Sequence, residues 1–252
     1  MGGENTGTDP TASYQGGFGG EGLTVVDANA TINSGTFAGG RGGAAAGVGE
    51  YLNGQFGGDG LLTQNSTTDI YSGTFQGGDS GPAAGIGTLG SLNGGEGLRV
   101  LTGSTVNVYS GSFTGGSGAS VPGGTNGGAG VGLLDEDGVL NVYGGTFTGG
   151  PNGLFGFGLD AGGGTTTLYG SDFFVNGVAM SSGSVTGIGT ISGIFQNNGT
   201  VSTFTYRVDS GGTLNISAPT VPEASTTVSF GLLLALGLGG LVVAARRKKI
   251  AP

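Results

Sequence analysis

This chain has no cysteine, no histidine and no tryptophan. Without cysteine there is no disulfide, no thiolate metal site and no sulfur nucleophile. Without histidine the usual general base and metal ligand are missing too. Cations are scarce and unevenly placed. All sixteen acids precede Val228, and before that point the only cations are Arg41, Arg99 and Arg207. The long N-terminal portion therefore carries a net charge of minus thirteen and no lysine. Nucleic acid is excluded as a partner, because phosphates need cations to hold them. An acidic, lysine-free surface suits solubility outside a cell.

What is abundant is glycine, 64 of 252 residues. Glycine at this level without a period would indicate disorder, but here a period is present. Ser34-Gly-Thr-Phe-Ala-Gly-Gly recurs as Ser72-Gly-Thr-Phe-Gln-Gly-Gly, Ser110-Gly-Ser-Phe-Thr-Gly-Gly and Gly144-Gly-Thr-Phe-Thr-Gly-Gly. An alternating run precedes each copy: Ala30-Thr-Ile-Asn, Thr68-Asp-Ile-Tyr, Val106-Asn-Val-Tyr and Leu140-Asn-Val-Tyr. A second short run, beginning Gly-Leu, lies upstream at Leu23, Leu61, Leu98 and Leu133. Phe18, Phe37, Phe56 and Phe75 fall every nineteen residues, and Gly-Gly pairs keep nearly the same beat. Strand-rich and Gly/Ala-rich units alternate.

The fold class expected is all-β, a parallel β-solenoid of ~19-residue coils stacked ~4.8 Å apart. Right-handed winding is expected. Inward Phe, Ile, Val and Leu would form columns, and about ten coils would make a rod of ~50 Å. The expected segments are a disordered 1–13, a solenoid 14–216, a Ser/Thr/Pro linker 217–227, and a membrane helix with basic tail 228–252. After Gly150 the beat loosens into less regular coils and a cap.

Several chemical signals are weak. Gly17-Phe-Gly-Gly-Glu-Gly22 fits GxGxxG, but chance produces such a match when one residue in four is glycine, and no βαβ unit follows. The runs Gly-Gly-Glu/Asp-Gly-Leu at 19, 57 and 94 look like the calcium-binding G-G-x-G-x-D nonapeptide. The sixth position is Thr24, Leu62 or Arg99, so the aspartate ligand is missing. Glu21, Asp59 and Glu96 occupy equivalent repeat positions and are expected to form a solvated ladder with members ~10 Å apart, two coils of ~4.8 Å. Asp135-Glu136-Asp137 is read as an exposed turn. Asp135, Glu136, Asp137 and Asp160 remain candidate carboxylates for a polysaccharide hydrolase or lyase, for which clustered acids with an arginine beside them on one face would argue. No catalytic residue, metal ligand or cofactor is assigned.

The C-terminus is the most specific segment. Val221-Pro222-Glu223-Ala224-Ser225 precedes an eighteen-residue apolar run, Val228–Ala245, followed by Arg246-Arg247-Lys248-Lys249. The run spans ~27 Å as a helix, enough for a bilayer core. Its Leu, Val and Phe contribute about −3 to −6 kcal/mol to insertion. The four cations are expected to stay cytoplasmic as a stop, placing the rest of the chain on the far side.

This order of parts resembles the PEP-CTERM sorting signal of bacteria. Val221, Pro222, Glu223 and Ser225 match that family's motif; Ala224 stands where a second proline is usual. The resemblance covers Val221 to the end. It implies processing at the motif by a membrane enzyme of the exosortase type, transit through the inner membrane, and a final place at the cell surface or in an extracellular matrix. Such substrates carry an export signal, and Met1–Thr6 is neither basic nor followed by an apolar stretch, so the signal is expected upstream of Met1. The repeats themselves resemble the Gly-Thr-Phe coils of autotransporter and adhesin passenger domains, which implies adhesion or association with extracellular polysaccharide. The expected function is thus an exported, surface-anchored or matrix-associated structural or adhesion-type protein that is not an enzyme. The alternatives are the polysaccharide-active enzyme and a calcium-dependent surface module.

Overall fold

The computed structural model separates the chain into two units, Met1–Ala218 and Pro219–Pro252. The structure describes residues 5–7, 13–15, 17–47, 51–53, 55–82, 93–119, 127–152 and 156–219. The sorting motif Val221–Ser225, the apolar run and Arg246–Lys249 lie outside these residues. Among the described residues there is no helix, and hence none long and apolar enough to cross a membrane.

The first unit is all-β and built as a parallel solenoid. Three strands per coil surround one core. The first strands, Leu23–Val26, Leu61–Gln64, Leu98–Val100, Leu133–Asp135 and Leu159–Ala161, stack in parallel as a leucine sheet. The second strands, Asn29–Ile32, Thr67–Ile70, Thr105–Val108, Val139–Val142 and the start of Thr165–Val175, form a tyrosine sheet, named for the residue that follows or ends each central strand. The third strands, Thr36–Ala38, Thr74–Gln76, Ser112–Thr114 and Thr146–Thr148, form a phenylalanine sheet.

Alternation decides what each strand buries, because successive side chains on a strand point to opposite faces. Leu61, Leu98, Leu133 and Leu159 form one inward column. Ile70, Val108, Val142 and Leu168 form another. Phe37, Phe75, Phe113 and Phe147 stack ring on ring, with centroids 5.1, 4.8 and 5.9 Å apart. Each fully buried side chain of this kind contributes about 1.5–3 kcal/mol. A single coil could not close such a core, but each column is shared with the coils on either side.

The coil length corrects the expected nineteen residues. Leu23 pairs with Leu61, Phe37 with Phe75 and Asn65 with Asp27, a separation of 38 residues in the last case. One coil thus spans two of the nineteen-residue units. The half-period has its own cause. Gly40 donates its N–H to Gly20 at 2.6 Å, Gly58 to Gly40 at 2.9 Å, Gly78 to Gly58 at 2.8 Å, and Gly95 to Gly78 at 2.8 Å. Gly116, Gly130 and Gly150 continue the ladder. The chain therefore passes through one glycine column twice per coil. One pass closes the three-stranded loop; the other closes a second loop whose strands, Ala45–Gly47 and Tyr51–Asn53, pair with Asn5–Gly7 and Ser13–Gln15. Asn5–Gly7 falls within the stretch expected to be disordered. Inside the column, at Gly58, Gly78, Gly95, Gly116, Gly130 and Gly150, only glycine fits. A Cβ on Gly58 would lie 2.2 Å from the Gly20 carbonyl oxygen, and one on Gly39 would lie 1.9 Å from that of Gly58.

The C-terminal end is capped. Thr165–Val175 runs on past its coil and pairs antiparallel with Gly187–Phe195, which pairs antiparallel with Val201–Val208. Val201–Val208 then joins the leucine sheet beside Leu159–Ala161. The leucine and tyrosine sheets thereby become one fifteen-stranded sheet folded around the end of the core. At the other end, among the described residues, Leu23–Val26, Asn29–Ile32 and Thr36–Ala38 each pair on one side only.

Candidate functional site

Two outer faces of the solenoid carry chemistry. On the leucine-sheet side lies a charged strip. Glu21, Asp59 and Glu96 sit at the corner where the chain leaves the glycine column, one coil apart rather than two. The Asp59 N–H donates to Glu21 Oε2, and the Glu96 N–H donates to Asp59 Oδ1 at 2.8 Å. The ladder is thus bonded coil to coil, not freely solvated, and Asp59 is buried. Arg99 stands two residues beyond the corner. Its Nη2 donates to both oxygens of Glu136, at 2.8 and 3.1 Å, and its Nη1 lies 3.8 Å from Asp59 Oδ2.

This crowding moves proton affinities. Burial pushes the Glu96 carboxyl well above the usual carboxylate range, and the adjoining Asp59 adds to it by hydrogen bond and by charge. Glu21 is raised by burial and then by Asp59. For Arg99, burial works against the charge, but Glu136, Asp59 and Glu96 outweigh it and raise its pKa.

Further along the same strip, Asp160 pairs in register with Leu134 and Arg207. Asp160 is 0 % exposed. Arg207 donates to its Oδ2 from Nε at 3.0 Å and also from Nη2. Arg207 Nη2 lies 3.4 Å from Asp209, and its guanidinium sits 5.3 Å from the Phe157 ring centroid. Burial raises the Asp160 pKa, with Arg207 opposing.

Asp135 corrects the exposed-turn expectation. It follows Leu133 by two residues, so it points into the core, where it is 0 % exposed. Its Oδ1 accepts from the Gly138 N–H at 3.0 Å and its Oδ2 accepts from the Thr166 hydroxyl at 3.0 Å. Burial raises its pKa. The triplet is therefore split: Asp135 bridges two coils from inside, Glu136 joins Arg99 outside, and Asp137 accepts from the Thr102 hydroxyl at 2.7 Å. Among the described residues no three acidic side chains converge as a metal site.

The outer face of the tyrosine sheet is built differently. Asn107 Nδ2 donates to Asp69 Oδ1 at 2.8 Å, Asn141 Nδ2 donates to Asn107 Oδ1 at 3.0 Å, and Tyr169 donates to Asn141 Oδ1 at 3.5 Å. Beside this ladder Tyr71, Tyr109, Tyr143 and Tyr169 stack with centroids 4.8, 5.1 and 4.5 Å apart and rings within 12° of parallel. Neither ladder was singled out from the sequence. The signal was there in Asp69-Ile-Tyr71, Asn107-Val-Tyr109 and Asn141-Val-Tyr143, one residue to either side of an inward Ile or Val.

Fold and faces together define a glycine-laddered, parallel β-solenoid with one charged and one neutral aromatic–amide face. Comparison with protein-family models, with curated proteins and with solved structures finds no match.

Proposed function

We propose that the protein is exported and held at the cell surface, or released into an extracellular matrix, as a non-enzymatic structural or adhesion-type rod. The carrying observation is the order of parts at the C-terminus: Val221–Ser225, the apolar run, then four cations. In this reading the run is a single transmembrane helix, Arg246–Lys249 stay in the cytoplasm, and an exosortase-type enzyme processes the chain at the motif. The solenoid is right-handed. A structural role is supported by how the carboxylates are used. Those of Glu21, Asp59 and Asp135 accept hydrogen bonds that join one coil to the next or close a turn. The test is cell fractionation with intact-mass measurement. The expected product is membrane-associated or extracellular, with a mass ending near Glu223. A full-length chain recovered from the cytosol overturns the reading.

A second reading has one specific observation in its favour. Asp59, Glu96 and Glu136 lie around Arg99 on a single face, the arrangement a polysaccharide hydrolase or lyase would need. Glu96, whose proton affinity burial and Asp59 raise, would serve as the acid, with Asp59 beside it as the second carboxyl. Turnover of neutral or acidic polysaccharides that disappears in Glu96→Gln and in Asp59→Asn establishes it; no turnover by the intact chain removes it. Asp135→Asn does not test it, because that carboxylate faces the core.

A further inference from the structure

We infer that the outer face of the tyrosine sheet binds a neutral, extended polysaccharide of the β-1,4-linked kind, lying along the solenoid axis with its hydroxyls on the asparagine ladder and on the edges and hydroxyls of the tyrosine stack, Tyr71 above all. The inference deepens the adhesive reading above by naming a face and a ligand class.

Charge selects the ligand first. The other face gathers Asp59, Glu96, Arg99, Glu136, Asp160 and Arg207, whereas the central columns of this one are Thr, Asn and Tyr with Asp69 as an acidic member. An anionic polymer meets Asp69 and a chain of net minus thirteen before Val228. An uncharged polyol meets no such repulsion.

Hydrogen-bonding capacity comes second. A side-chain amide has two N–H donors and one carbonyl acceptor with two lone pairs. Asn107 and Asn141 each spend one N–H on the ladder, so each keeps a second N–H for a ligand hydroxyl. Among the described residues the Tyr71 and Tyr109 hydroxyls make no hydrogen bond to the protein. Donors and acceptors thus recur at every coil, ~4.8 Å apart, a repeat comparable with one sugar unit of an extended chain. A straight row of this kind fits a ribbon-like glycan and not a coiled one.

Order is the third point. The four stacked rings hold one another in place, so little side-chain freedom remains to be lost on binding. The loop after Phe195 fixes the border of the face: Gln196 N–H donates to the Tyr169 carbonyl at 3.0 Å, and Asn197 N–H donates to that of Tyr143 at 2.9 Å. Within the stack each inner ring has its faces covered by neighbours and offers its edge and hydroxyl. Tyr71 ends the stack, with Tyr109 on one side and Asn33 at its register on the other, and it is 48 % exposed. Its edge and hydroxyl are the most accessible of the four for a sugar of the bound chain.

The test uses the purified full-length chain in detergent, titrated with cellohexaose and with mannohexaose. With seven tyrosines and no tryptophan, intrinsic tyrosine emission reports on the ladder directly. A saturable change with at least one of the two hexasaccharides is expected, and none with oligogalacturonate. Asn107→Ala and Tyr71→Ala should each weaken binding about tenfold, and Tyr71→Phe, which loses only the hydroxyl, should fall between the parent and Tyr71→Ala. Tyr71 is exposed enough that its alanine variant folds, which a far-UV melt checks. No response to either neutral hexasaccharide overturns the inference. So does binding that Tyr71→Ala leaves unchanged, or equal binding of oligogalacturonate. Each of these results leaves the proposed export and anchoring intact, since fractionation and mass decide that separately.

Discussion

The two outer faces are made by the same device and solve opposite problems. In each, the winding repeats a residue position about every 4.8 Å along the solenoid axis, so side chains at that position become neighbours whether or not they attract. On the tyrosine-sheet face the neighbours are amides, phenols and threonines, with Asp69 as an acidic exception. An amide can donate to the amide of the adjoining coil and accept from the other side, and a phenol ring can lie on another ring. On the leucine-sheet face the neighbours are carboxylates, which when ionised only accept. That ladder survives by borrowing partners of another type: backbone N–H groups for Glu21 and Asp59, a raised proton affinity for Glu96, and Arg99 beside Asp59; further along the strip Arg207 does the same for Asp160. A solenoid can repeat a neutral residue without limit, but a repeated charge demands an interruption.

The largest effect should come from removing such an interruption. Asp160 is 0 % exposed, and among the described residues its Oδ1 has no hydrogen-bond partner. Arg207→Ala leaves that carboxyl buried without its cation, which costs about 3 kcal/mol. Arg207→Ala with Asp160→Asn should recover most of the loss, because an uncharged amide is far less costly to bury. Urea unfolding of the parent, the single and the double variant checks this. A single variant as stable as the parent would show that Arg207 does not compensate Asp160.

The next effect is a pH dependence. The carboxyls whose proton affinity is displaced, Glu21, Glu96, Asp135 and Asp160, are all displaced upward, mainly by burial. A folded-state pKa above the unfolded one means that the folded chain holds the proton more tightly. The resulting stabilisation is complete below the unfolded carboxylate range and is lost as pH rises through the folded values. The melting temperature should therefore rise by several degrees between pH 8 and pH 5, the reverse of ordinary acid denaturation. Glu96→Gln should flatten the curve most, since Glu96 is moved furthest. A melting temperature that falls steadily over that interval would contradict the upward shifts.

The same contrast separates what can be read from the sequence from what cannot. The three-stranded loop is legible because its strands alternate and its Phe, Ile and Leu recur at fixed offsets, so inward and outward positions follow by counting from Leu98 or Phe113. Asp135 obeys that count too, being two residues after Leu133, but a carboxylate in a triplet of acids looks like a turn. The charged strip is harder. Glu96 and Arg99 flank a corner at Gly97, and alternation does not carry across a corner, so no offset reveals that they share a face. The coil length was obscured because Gly-Gly marks both passes through the column alike. With no side chain at the contact, nothing in the residues tells which glycine meets which. The sorting motif is legible as a motif and lies outside the described residues.

The smallest effect is also the sharpest test of the comparison, because it rebuilds one face's difficulty on the other. Asn107→Ala removes both the bond to Asp69 and the one from Asn141, at about 1 kcal/mol each. Asn107→Asp keeps the shape but sets two carboxylates on adjoining rungs, with no arginine beside them among the described residues. Repulsion at one coil's spacing adds about 1 kcal/mol even when screened by water. At pH 7 the aspartate variant, which still accepts from Asn141 but repels Asp69, should therefore be no more stable than the alanine variant. Once acid has neutralised the new pair, a carboxylic acid can donate to its neighbour as the amide did, so near pH 3 the aspartate variant should be the more stable. Parallel chemical melts at the two pH values decide it. If the two variants keep the same order at both, the neutral face does not depend on being neutral, and the distinction drawn between the faces fails.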